Sequence, residues 1–214
     1  MLKYLRWMCM ILIISTLTSC INGSHSSKGL DAVEVKDKFI SPEDGLTITD
    51  ARMLIIQKLK DRGIKGNAKE VAIIEEITTQ EIWKNAGTQL YKVDVGYASF
   101  YGVAIIKYNE VLEILHGMPT MGIFLADLDK DSVYEVYTNI AMGSGIISHE
   151  ILGYNIATKD RYHLSKRGEQ DFIMFIDEDT LMAKVSKYPD INRIEKIGKV
   201  LLKTSIDKEE IYVE

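Results

Sequence analysis

Residues 122–138, GIFLADLDKDSVYEVYT, decide how the chain is read. Asp127, Asp129 and Asp131 stand at alternate positions, and Glu135 follows four residues later. If the flanks were amphipathic helices, this would be a helix-loop-helix calcium site. Instead "GIFLA" and "VYEVYT" are short runs of branched and aromatic residues bounded by polar ones, the pattern of strands. The acidic segment is therefore expected to join two neighbouring strands.

Working outward, the same pattern recurs on both sides. "VAIIEEI", "LYKVDV", "FYGVAIIKY" and "VLEIL" precede the loop; "IISHEILGYNI", "DFIMFI", "LMAKVS", "KVLLKTS" and "EIYVE" follow it. Successive short strands without helical patterns between them imply antiparallel hairpins and meanders. One stretch differs. In "TITDARMLIIQKLKDRGIKGN" the residues Ile48, Ala51, Leu54, Ile55 and Leu59 recur at helical spacing. Thr47 can cap this helix, Asp50 sits in its first turn, and Lys58, Lys60 and Arg62 crowd its end before Gly63. "TTQEIWKNAG" has room for one or two helical turns stopped at Gly87. The expected class is α+β: strand-dominated antiparallel sheets with one N-terminal amphipathic helix. The globular domain is expected over residues 31–214, either as one body or as two subdomains divided near 116–122, where "HGMPTMG" interrupts the strands.

The loop's chemistry follows from its spacing. A hard cation such as calcium takes six to eight oxygens at about 2.3 to 2.6 Å, and carboxylates at alternate positions of a curled loop point inward to supply them. Asp127, Asp129 and Asp131 fill the first, third and fifth positions, Val133 offers its backbone carbonyl at the seventh, and Glu135 falls at the ninth. Ser132 occupies the sixth position, where a sharp turn prefers glycine, and Thr138 at the twelfth cannot act as a bidentate acid. The alternative is a hairpin whose acids are solvated and bind nothing. The pattern D-x-D-x-D-x-x-x-[DE] between strands resembles the calcium loops of FG-GAP and VCBS-type modules, which implies calcium as the bound cofactor. With the following "GSGI" and "GYN", the segment is similar to a group of exported bacterial proteins of unknown role.

The N-terminus concerns address. "MLKYLRWMCMILIISTLTSC" has a basic start (Lys3, Arg6), an apolar stretch from Trp7 to Ile14, and small residues before Cys20. Its apolar run is short of the roughly 20 residues needed to cross a bilayer. Leu17, Thr18, Ser19 and Cys20 resemble the lipobox of bacterial lipoproteins. That resemblance implies removal of residues 1–19 as a signal peptide and lipidation of Cys20, with palmitate-like chains anchoring the protein to a cell-envelope membrane. Residues 20–30, rich in Ser and Gly, then read as a flexible tether.

Composition narrows the rest. The formal net charge is -5; removing residues 1–19 takes Lys3 and Arg6 with it and leaves 24 basic against 31 acidic residues. A chain of that sign, without a basic stripe, is not expected to bind nucleic acid. The two cysteines, Cys9 and Cys20, both lie at the leader, so residues 21–214 carry no thiol for a disulfide, a nucleophile or a thiolate metal site. Gly143, Ser144 and Gly145 read as a turn, since Met142 stands where a nucleophile elbow needs glycine. His25, His116, His149 and His163 lack zinc spacing, and Asp177, Glu178 and Asp179 read as a hairpin tip. Two functions remain open: a non-catalytic envelope module with one calcium-type loop and an envelope protein or glycan as partner, or an envelope hydrolase working through its acids. The expected result of Cys20→Ala is loss of the protein from the membrane fraction; a wild-type chain that takes up no labelled fatty acid would contradict the anchor.

Overall fold

The structure, a computed structural model, describes residues 32–35, 43–63, 72–94, 101–204 and 209–214. The leader, Cys20 and the tether lie outside the described residues. Three antiparallel sheets follow one another along the chain. The first is a meander of β2 (Ala72–Glu76), β3 (Thr88–Asp94), β4 (Tyr101–Lys107) and β5 (Glu110–Gly117). The second orders β6 (Thr120–Ala126), β7 (Glu135–Met142), β8 (Ser148–Tyr154) and β9 (Arg161–Leu164) side by side, with β1 (Val33–Glu34) added along the free edge of β6. The third contains β10 (Gln170–Asp177), β11 (Thr180–Lys187), β12 (Ile194–Thr204) and β13 (Glu209–Val213). Strands so outnumber helices that the architecture is mostly β, and the antiparallel, strand-dominated part of the expected class is what the described residues form.

Two helices accompany the sheets among the described residues. In α1 (Ile48–Asp61), Thr47 caps the first turn by accepting from the Asp50 amide at 3.2 Å. Ala51, Ile55 and Leu59 are buried against Tyr91, Val93, Ala104, Ile106 and Ile114 on the outer face of the first sheet. Ile48, expected in the same stripe, is 53% exposed, because the stripe meets the sheet only from the second turn onward. Arg62 closes the helix and reaches the Glu113 carboxylate of β5 at 2.5 Å. Burial pushes the Glu113 carboxyl up, but the Arg62 bond and the Ile114 amide outweigh it and hold the group below its usual range. Helix α2 (Gln80–Ala86) is capped by Thr79 and stopped by Gly87 in the left-handed region.

The layers are explained by side-chain alternation. In β6, Ile123 and Leu125 enter a core shared with Leu90, Val103, Ile105 and Leu115 of the first sheet. Their neighbours Phe124 and Ala126 enter a second core with Phe172, Met174, Leu181 and Val185 of the third sheet. Successive residues of one strand thus feed two cores, and the second sheet is covered on both faces. That is why β7 has almost no exposed position, whereas β11 alternates buried Leu181, Ala183 and Val185 with an exposed Lys184. The resulting order is helix, first sheet, central sheet, third sheet. The segment 116–122 is where the chain crosses from β5 to β6, and the core lying between them draws on both sheets.

Burial on both sides requires polar groups to be answered internally. Asn139 of β7 is 1% exposed. It donates to the Phe172 carbonyl at 2.9 Å and accepts from the Met174 amide at 2.7 Å, so one side chain satisfies both backbone groups along the edge of β10. Asp171 does the same in reverse, accepting from the His149 amide of β8 at 2.6 Å. Leaving a buried backbone group unanswered costs about 1 to 3 kcal/mol. Asn139→Ala is therefore expected to lower unfolding free energy by roughly 3 kcal/mol, read as a shifted denaturation midpoint with unchanged slope; a shift within error would show that Asn139 does not join the sheets.

Candidate metal centre

The acidic segment connects β6 to β7, pairing Ala126 with Glu135 across its base. Between these ends the backbone curls tightly, with Lys130 at φ 64° and Ser132 at φ 70°. The curl is held from within by its own carboxylates. Asp127 accepts from the Ser132 amide at 3.1 Å, Asp129 from the Asp131 amide at 3.0 Å, Asp131 from the Val133 amide at 2.7 Å, and Glu135 from the Leu128 amide at 2.8 Å. These bonds turn every acid of the motif toward the inside of the loop.

Two asparagines hold the loop from outside. Asn85 of α2 donates to the Ser132 carbonyl at 2.8 Å and accepts from the Tyr134 amide at 2.8 Å. Asn155, just beyond β8, donates to Asp129 at 2.7 Å and lies 3.5 Å from Glu135, while its carbonyl oxygen accepts from the amides of Ala157 and Thr158. No sequence pattern marks either residue. Asn85 lies near the end of a short helix and Asn155 in the "GYN" after a strand, and only the folded pairing brings them to the acids.

The outcome is one cluster: a carboxylate oxygen from each of Asp127, Asp129, Asp131 and Glu135 lies within 4.8 Å of the others. Exposure is graded across it. Asp131 faces solvent, Asp127 and Asp129 are half-buried, and Glu135 is 0% exposed. Oδ1 of Asp127 is buried without a hydrogen-bond partner. Burial pushes the Glu135 carboxyl up to about 9, and the nearby Asp129 adds to the rise, against the pull of the Leu128 amide and the Tyr137 hydroxyl. Asp127 is also raised, by burial first and then by its acidic neighbours. Four hard oxygen donors with no sulfur or imidazole among them could hold a metal ion, and a hard cation is the kind they suit. Val133, the expected backbone ligand, has a half-buried side chain packed against the first core and an amide given to Asp131. Ser132 carries the left-handed turn that glycine would adopt more easily.

The other candidates do not join this cluster. Gly143, Ser144 and Gly145 form the connection between β7 and β8. Asp177, Glu178 and Asp179 are exposed at the β10–β11 turn. His163 pairs with Glu150 at 2.7 Å and His149 lies 3.3 Å from Asp171, two separate contacts. Compared with known protein families, characterised proteins and solved structures, the chain matches none of them.

Glu135 makes the cluster's stability depend on pH. In the ion-free protein the folded state retains this proton up to about pH 9, while an unfolded glutamate releases it near pH 4.3. Between these values the folded chain binds more protons, so its contribution to stability declines as pH rises. A bound cation reverses the preference by favouring the carboxylate. Glu135→Gln is expected to abolish this declining part of the profile between about pH 5 and 9, measured by denaturation at a series of pH values in chelator. An identical profile in both proteins would show that Glu135 is not held protonated.

Proposed function

We propose that this protein is a non-catalytic module of the bacterial cell envelope, anchored through lipidated Cys20, whose acidic loop binds one calcium-type ion and whose folded domain meets an envelope protein or glycan. The observation that carries the reading is the convergence of Asp127, Asp129, Asp131 and Glu135, with the last wholly buried. Folding carboxylates this close together is unfavourable unless protons or a cation neutralise them. Calcium is favoured over magnesium because four carboxylates, with the Val133 carbonyl as the expected further donor, suit its six to eight oxygens, whereas magnesium demands a tighter octahedron and retains its waters. The anchor rests on the sequence from Lys3 to Cys20. Two or more acyl chains hold a protein stably at a membrane, since each buried methylene contributes about 0.8 kcal/mol.

An acid-dependent hydrolase is the second reading. The raised Glu135 carboxyl is what favours it, since a protonated acid beside other carboxylates is the arrangement general acid catalysis uses. The complete burial of Glu135 counts against it, because a general acid must reach its substrate.

Mass action provides the test. An ion that binds only the folded chain adds about 2.7 kcal/mol at a hundredfold excess over its dissociation constant. Millimolar calcium is expected to raise the melting temperature of chelator-treated protein, and the double substitution Asp129→Asn with Asp131→Asn is expected to remove that response. A wild type indifferent to calcium, with a double variant equally or more stable, would leave an acidic hairpin tip that binds nothing.

A further inference from the structure

The hairpin between β4 and β5 turns through Tyr108 and Asn109, with Lys107 paired to Glu110 at its base. Both turn residues have positive φ, 51° and 62°. Such a two-residue turn favours Asn or Gly, and a bulky ring at its first position is costly. The Tyr108 side chain gains no burial in return: the residue is 87% exposed. Among the described residues its one ring contact is an exposed one with the Lys107 ammonium, a small return for an aromatic ring on strained backbone, which directs attention to what else the ring faces.

Tyr108 borders an open cleft of about 520 Å³ that Trp83 of α2 also lines. That volume lies within the range of about 300 to 1,000 Å³ usual for small-molecule sites. Ile106 and Gln89 form part of its floor. The Gln89 amide is engaged inward with Glu76, Tyr91 and Leu46, so Asp44 and Asn109 are the exposed polar side chains of the lining. The cleft therefore offers two aromatic side chains and two hydrogen-bonding groups.

Charge selects among ligands. Among the described residues the lining holds no Lys or Arg and carries Asp44 as its one acidic side chain, so it offers an anion no charge-assisted hydrogen bond. A ligand cation on the Tyr108 ring would have to compete with the Lys107 ammonium, which already sits 5.3 Å from the ring centroid, so a neutral ligand is favoured. A neutral polyol fits what remains: its C–H faces stack on indole and phenol while its hydroxyls bond to Asp44 and Asn109. We propose that the cleft lined by Trp83 and Tyr108 is a binding subsite for a neutral saccharide. This names a ligand for the binding-module reading and rests on it. One wall is tied to the acidic loop, since Trp83 shares its short helix with Asn85, which bonds the loop at Ser132 and Tyr134.

Trp83 and Trp7 are the two tryptophans of the chain, so in a full-length Trp7→Phe protein the fluorescence reports on the cleft alone. The probes are the tetramers of N-acetylglucosamine and of glucose, with choline chloride and inorganic phosphate as cationic and anionic comparisons, each titrated with calcium and with chelator. A saturable change with at least one tetramer is expected in the millimolar range or below. Tyr108→Asn suits the turn better, so this variant is expected to melt no lower than its parent and yet to bind at least about tenfold more weakly. No saturable response to either tetramer under both conditions, or a response to choline or phosphate instead, would overturn the subsite. So would full affinity in Tyr108→Asn. The calcium melting response of the loop is read separately, so either result can fail without the other.

Discussion

Glu135 stands at the first position of a strand buried on both faces, and the surrounding structure is arranged around that carboxylate. It is fully buried, yet it is not isolated: the Leu128 amide and the Tyr137 hydroxyl donate to one of its oxygens, and the Asn155 amide lies beside the other. A charge in such a place is unfavourable unless it is neutralised by a proton or by a cation. The fold provides for either. Ion-free, the group keeps its proton to about pH 9; with a cation among the four acids, it becomes a ligand.

The consequences extend beyond the loop. On one side Asn85 connects it to α2, whose Ile82 and Ala86 belong to the core between the first and central sheets. On the other, the Tyr137 ring stacks on Tyr162 at 6.4 Å, and the Tyr162 hydroxyl donates to Glu209 of β13 at 2.7 Å. The loop is thus linked to α2 on one side and, through Tyr137 and Tyr162 in turn, to the third sheet on the other. An ion held there would stiffen contacts in two cores at once. That is the physical sense in which a small acidic turn can matter to a mostly β protein of this size.

Much of this was legible in the chain. Spacing alone grouped Asp127, Asp129, Asp131 and Glu135, because carboxylates at alternate positions of a tightly curled loop can converge on its inside. The flanking runs read as strands, and Thr47 with Asp50 marked the start of α1, because capping is decided within four residues. What could not be read depends on partners far apart in sequence. Nothing in "FLADLDKDSVYEVYT" says that its strands lie in the middle layer, since a strand covered on both faces shows only as a continuous apolar run. Asn85, Asn139 and Asn155 were unremarkable in the sequence because an asparagine acquires meaning only from the backbone or carboxylate it meets. Tyr108 is illegible in the sequence for a related reason: exposure and positive φ are properties of the folded turn.

The central claim is that the four carboxylates close on one hard cation. Crystals grown in calcium, then exchanged to manganese for its anomalous signal, test it directly. A single peak about 2.0 to 2.6 Å from oxygens of Asp127, Asp129, Asp131 and Glu135 is the expected result. An ordered loop at millimolar metal with no peak among those oxygens, or with Glu135 turned away from the other three, would contradict it.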